Sequence, residues 1–300
     1  MPGSCCLSLL LFTAFIAPAA VPNSIASKFD GPAALTYTKK AVAFGERPAG
    51  SQAMERQRQW IVSELKATGA AVSFDRFQAR TPDGMIPMAN IIGKFSGKSG
   101  QAIAVSGHYD SKKIPGVKFL GANDAGSSTG FLLEFARAVS LWQHNDDIYV
   151  VFFDGEEAVR DWTETDSRYG SRHLAAVWLA DGTLKRLKAL INVDMIGDKD
   201  LDMVDDLNSD SGLRQQTRAI AAKLGYSQYF RGASGIDDDH RPFAELGVRV
   251  LDLIDLDYGP NNSYWHTAQD TIDKLSAQSL QVVGDITLQL VKQLDGGASS

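Results

Sequence analysis

Ile148-Tyr149-Val150-Val151-Phe152-Phe153-Asp154-Gly155-Glu156-Glu157 sets a short unbroken apolar run against a closing cluster of carboxylates. Such a run suits a strand buried on both faces of a parallel sheet, because a solvated face would have imposed alternation. Ala189 to Val193 and Val248 to Ile254 look the same, and Ala102 to Tyr109 is an apolar strand that ends in polar residues. Val72 to Phe77 alternates and Met88 to Phe95 is mostly apolar, so both read as strands. Between them lie helical spacings: Gly31 to Phe44; Ser51 to Thr68, with Met54, Ile61 and Leu65 on one stripe; and a helix in which Phe131, Leu132, Phe135, Ala136 and Val139 share a face. Ser211 to Leu224, His240 to Leu246 and Ser276 to Leu294 follow, the last with Val283, Leu290 and Leu294 together. Strands alternating with helices predict an α/β fold, with an open, mixed, mostly parallel central sheet and helices on both faces. In such sheets ligands bind beyond the carboxyl ends of the strands, so chemistry should collect where the apolar runs stop.

Composition narrows the function classes. The 300 residues are 44% hydrophobic and 22% charged, with 27 Gly and 10 Pro, which excludes collagen-like, mucin-like and disordered chains. Lys+Arg 30 against Asp+Glu 36 gives a net charge of -6, and no basic run offers a phosphate-binding stripe, so nucleic acid is not an expected partner. Cys5 and Cys6 are adjacent near the N-terminus, and the rest of the chain has no thiol for a disulfide, a nucleophile or a Cys-type zinc site. Leu7 to Ala17 is almost wholly apolar and Ala17-Pro18-Ala19 supplies the small residues of a cleavage site, so residues 1–26 read as a secretory signal cut near Ala19 or Ala20. That run is too short to span a bilayer and no comparable run follows. The expectation is a secreted or periplasmic protein without a stable membrane anchor: one catalytic domain over residues 27–295, a disordered tail at 296–300, and a monomer.

The ends of the apolar runs carry the candidate site. His108-Tyr109-Asp110 closes the first, Asp154-Gly155-Glu156-Glu157 the second and Asp194 the third; Gly121-Ala122-Asn123-Asp124 precedes the Phe131 helix, and Tyr264-Trp265-His266-Thr267 follows the Val248 strand. Histidines and carboxylates without cysteine form the donor set of a catalytic zinc site, which keeps a position open for substrate or water. Plainer readings exist for each. Asp124 could be an N-cap, His108 and Asp110 a hydrogen-bonded surface pair, Glu156 and Glu157 a solvated acidic pair, and His266 a structural histidine. Two adjacent carboxylates after a wholly apolar strand, however, would repel unless they shared a cation or a proton.

Gly107-His108-Tyr109-Asp110-Ser111, Gly121-Ala122-Asn123-Asp124, Asp154-Gly155-Glu156-Glu157-Ala158, Asn192-Val193-Asp194-Met195-Ile196-Gly197 and Trp265-His266-Thr267 together resemble the M28 family of zinc aminopeptidases, in order and spacing, across roughly residues 30 to 295. Trp162, the run from Asp166 to Ala175, and Asp237-Asp238-Asp239-His240-Arg241-Pro242-Phe243 resemble one branch of it, the animal-type glutaminyl cyclases. The resemblance implies an enzyme that converts the N-terminal glutamine of peptides or proteins to pyroglutamate with release of ammonia. It also implies one zinc per chain held by Asp124, Glu157 and His266, and Glu156 as the acid/base. Asp194 and Asp238 would hydrogen-bond near the reacting amide, and Trp162 and Trp265 would wall the substrate pocket. Two departures stand out: Asp252 replaces a histidine of the animal enzymes, and the disulfide common near their site cannot form. The rival within the family is a two-zinc aminopeptidase, in which His108 and Asp194 would hold a second metal with Asp124 as bridge and Glu156 would activate water. A non-catalytic binding domain on the same scaffold is the rival of another class, disfavoured because no ligand position is lost.

Overall fold

The computed structural model describes residues 29–296. The expected signal segment, residues 1–26, and all of the expected tail beyond residue 296 lie outside the described residues.

The central sheet has six strands in the order β1-β2-β4-β3-β5-β8. They are β1 (Ala71–Thr81), β2 (Gly84–Phe95), β3 (Ala102–His108), β4 (Asp147–Phe153), β5 (Leu187–Asp194) and β8 (Val250–Ile254). β1 and β2 form an antiparallel hairpin, β2 joins β4 antiparallel, and β4, β3, β5 and β8 run parallel. The sheet is thus mixed and mostly parallel. All residues of β3, β4 and β8 are buried, the two-sided covering that the apolar run Ile148 to Phe153 of β4 demands.

Alternate residues feed two cores. Ile103, Val105, Val150, Phe152 and Ile191 face a layer built from α1 (Gly31–Val42), α2 (Gln52–Ala67), α3 (Gly126–Val139), α5 (Ser211–Leu224) and α7 (Ala277–Leu294). Ala102, Ala104, Val151, Phe153 and Leu190 face the other, where Leu174 and Trp178 of α4 (Tyr169–Ala180) and Phe243 of α6 (Arg241–Glu245) pack. This is the period-2 exchange of faces that a strand imposes. β6 (Met203–Asp206) and β7 (Phe230–Ser234) make a separate two-stranded parallel sheet. No helix among the described residues is long and apolar enough to cross a membrane.

Local signals explain most element ends. The side chains of Ser51, Asp210 and Ser276 accept the backbone N–H three residues on and so cap α2, α5 and α7. α4, β6 and β7 had no comparable sequence signal. α4 starts from Arg168 in the left-handed region with no side-chain cap, and its buried face is only a few residues wide. Asp124 is not a cap: Ala125 occupies that position for α3, and the Asp124 carboxylate is engaged elsewhere.

Candidate active site

Because β3, β4, β5 and β8 are parallel, their carboxyl ends share one edge, and two histidines and several acids of the chain gather there. His108 ends β3, Glu156 and Glu157 follow β4, Asp194 ends β5, Asp124 lies on the loop before α3, and His266 lies on the segment after β8. The structure brings these residues together. Asp124, Glu157 and His266 form one cluster of converging ligand atoms, and His108, Asp124 and Asp194 form a second that shares Asp124.

His266 Nε2 stands 3.2 Å from Asp124 Oδ2 and 3.3 Å from Glu157 Oε1. Bonds of about 2.0–2.2 Å around a tetrahedral ion set neighbouring ligands roughly 3.3–3.6 Å apart, so the triad has the dimensions of a zinc site. Glu157 Oε1 is buried and has no hydrogen-bond partner, a costly state that a cation would relieve. The residues therefore fit the metal their donor chemistry suggests. His266 itself is held in the left-handed region (φ 53), stacked on Trp265 at 4.2 Å and edge-on to Phe119 at 5.7 Å.

The paired glutamates diverge. The backbone N–H groups of Glu156 and Glu157 donate to Asp110, which is buried beside His108 Nδ1. From that shared anchor Glu157 turns to His266, while Glu156 Oε2 lies 3.8 Å from His108 Nδ1. Burial pushes the Glu156 carboxyl well above its usual range; His108 opposes this, and Glu157, Asp238 and Asp239 add to it. Burial likewise pushes Asp194 up to about 7 despite a 3.1 Å contact with His108 Nε2, with Asp238 and Asp124 raising it further. Raised carboxyls gathered in a cleft mark a place where protons are handled.

Several supporting residues escaped the sequence reading. Arg47 is fully buried and donates to the carbonyls of Gly45, Leu120 and Gly121, while its backbone N–H donates to Ser111 Oγ. Burial pushes its guanidinium down to about 10, with Asp270, Asp110 and Asp124 holding it up, so it stays charged at neutral pH. Asp270 accepts the backbone N–H groups of Asn123 and Asp124 and the Tyr258 hydroxyl. Gly121 is obligatory in this turn: at φ +53, a Cβ would meet the Asp124 carbonyl oxygen at 1.9 Å. Arg47→Leu should leave the Gly45 and Leu120 carbonyls without this donor, with Gly121 keeping only the Gly126 N–H, and cost about 3 kcal/mol or more, read as a fall in Tm with weakened metal retention.

A cavity of about 600 Å3 opens over the cluster, lined by Asp124, Glu156, Glu157, Asp194, Asp238 and His266 together with Trp162 and Trp265. The two indoles are 41% and 40% exposed, so they border the cavity rather than fill a core. Asp252 does not reach it. It is buried behind Asn192, whose side-chain amide donates to both Asp238 and Asp252, and it faces His240 at 3.6 Å.

Comparison with known proteins shows the family. Residues 90–291 match Peptidase family M28. A glutaminyl-peptide cyclotransferase of Drosophila melanogaster is 30% identical over 256 residues, covering 75% of this chain and 72% of that protein. The crystal structure of an Acidobacteriales bacterium glutaminyl cyclase is 41% identical, with a TM-score of 0.87 over 93% of this chain and 99% of that one. A Zn-dependent exopeptidase from Parabacteroides distasonis is 28% identical, with a TM-score of 0.78 over 88% of this chain and 98% of that one.

Proposed function

The chain belongs to Peptidase family M28, and from that membership and the site geometry we propose that it is a zinc-dependent glutaminyl-peptide cyclotransferase. It would convert the N-terminal glutamine of a peptide or protein to pyroglutamate and release ammonia. The observation that carries this is the pairing of a three-residue zinc cradle with a separate buried carboxyl, Glu156, in a pocket whose indole walls suit a small side chain. The 41% identity to a solved glutaminyl cyclase over nearly the whole chain supports it.

Asp124, Glu157 and His266 would hold the zinc, which supplies polarisation of the substrate γ-carbonyl when bound. Trp162 and Trp265 flank the glutamine side chain and hold it folded toward its own α-amine, so that attack is intramolecular. Glu156 takes the proton from the α-amine and returns it to the leaving nitrogen. The bond from the α-nitrogen to the γ-carbonyl carbon forms, the side-chain amide C–N bond breaks, and ammonia leaves; no water is consumed. Asp194 and Asp238 accept hydrogen bonds from the side-chain amide N–H groups as that nitrogen leaves as ammonia.

The His108, Asp124 and Asp194 cluster favours a second reading, the two-zinc aminopeptidase, since it could hold another ion. His108 Nε2, 3.1 Å from Asp194 and 3.2 Å from Asp124, already bridges those carboxylates without one. Counting zinc in the purified protein separates the readings: one ion per chain is expected, and two would favour the peptidase. Residues 27–295 would act as one catalytic domain, secreted or periplasmic after loss of the signal segment, on peptides beginning with glutamine.

A further inference from the structure

Trp162 stands at the cavity mouth on a loop between β4 and α4, and something other than core packing must keep so exposed an indole in place. The base of that loop is rigid: the Asp166 carboxylate accepts the backbone N–H groups of Val159, Arg160 and Asp161 at 2.8, 2.9 and 3.0 Å and the Tyr169 hydroxyl at 2.7 Å. The tip is held from across the cavity. Trp162 Nε1–H donates to Asp237 Oδ2 at 3.0 Å, on the segment before α6. The Arg168 guanidinium lies over the indole ring, 5.7 Å from its centroid, and ion-pairs with Asp237 Oδ1. Arg168 is itself buried, whereas the Asp237 side chain is half exposed. One carboxylate thus binds both the indole edge and the cation on the indole face.

We infer that Asp237 and Arg168 are positioning residues that clamp Trp162 as a pre-formed wall of the substrate pocket and thereby set how tightly the N-terminal glutamine is gripped. This rests on the cyclase reading above, in which Trp162 borders the substrate. A free indole on a loop samples several rotamers, and ordering it in advance removes that entropy from the binding step. Neither clamp residue need touch the reacting atoms, so loosening the clamp weakens substrate capture more than it slows the chemistry.

The test is a double-mutant cycle on the zinc-loaded enzyme with a short glutamine-initiated peptide. Asp237→Ala and Arg168→Leu should each raise KM about 5–10-fold with kcat changed less than about 2-fold, the scale of losing one ordinary hydrogen bond at a half-exposed site. In a Trp162→Leu background the same substitutions should add nothing, because their effect passes through the indole. Asp237→Asn keeps an acceptor for the indole but loses the ion pair, and should fall between. The Trp162 contribution to fluorescence, taken as the difference from Trp162→Leu, should shift to the red and lose anisotropy in Asp237→Ala. KM effects that multiply with Trp162→Leu would make Asp237 a direct substrate contact and overturn the clamp, as would an unchanged Trp162 emission in Asp237→Ala and Asp237→Asn. The emission measurement needs no turnover, so a wild-type enzyme that fails to cyclise the peptide refutes the function while the clamp is still decided.

Discussion

Glu156→Gln should cut turnover by about 10²-fold or more while zinc stays bound, and Glu157→Gln should lose the zinc. The two side chains leave a common anchor on Asp110 and separate, one to His266 and one toward His108. Burial pushes the Glu156 carboxyl up, against the pull of His108 and with Glu157, Asp238 and Asp239 adding to the rise. A carboxyl with a raised pKa suits a proton shuttle, whereas a ligand must stay ionised. Glutamine keeps the shape of Glu156 and removes its exchangeable proton, so the loss should fall on kcat. Steady-state kinetics beside metal analysis reads both quantities. Zinc loss in the first variant with retention in the second would exchange the roles, and near-normal activity in Glu156→Gln would remove this pair from acid/base catalysis.

The second large effect is expected at His266. It is the only nitrogen donor facing both Asp124 and Glu157 among the described residues of that triad. His266→Ala should empty the site and reduce activity by about 10³-fold or more, since a Lewis acid supplies several kcal/mol to such a step. Chelation of the wild-type protein should do the same reversibly, with activity restored by added zinc. Full zinc content and activity in His266→Ala would break the assignment.

How much of this was legible in the sequence follows from the range of each interaction. The sheet edge was legible because β3, β4 and β5 are buried on both faces, so each apolar run stops where the chain leaves the core, and the next polar residues fall at the edge. Asp124, Glu157, His266, Glu156 and Asp194 came from that rule and from the order of the motifs. Arg47 did not, because its role is a set of bonds to carbonyls more than 70 residues away, and its local surroundings read as a turn. Asp270 and the roles of Asp237 and Arg168 are hidden for the same reason: each works on a partner distant in sequence or on a backbone N–H that no residue pattern announces. Alternation marks only Val72 to Phe77 of β1, yet hairpin pairing continues to Thr81 opposite Gly84. α4 was missed because its start has no cap to read. Asp252, which stands where the animal enzymes have a histidine, lies one side chain behind Asp238 and is joined to it through Asn192.

The most direct test of the central claim is the fate of one peptide. A glutamine-initiated peptide incubated with the purified, zinc-loaded protein and followed by mass spectrometry should lose one ammonia and no residue, with free ammonia rising in step. Release of free glutamine and a peptide shortened by one residue would mean that the site hydrolyses the peptide bond, and the cyclase account would be wrong.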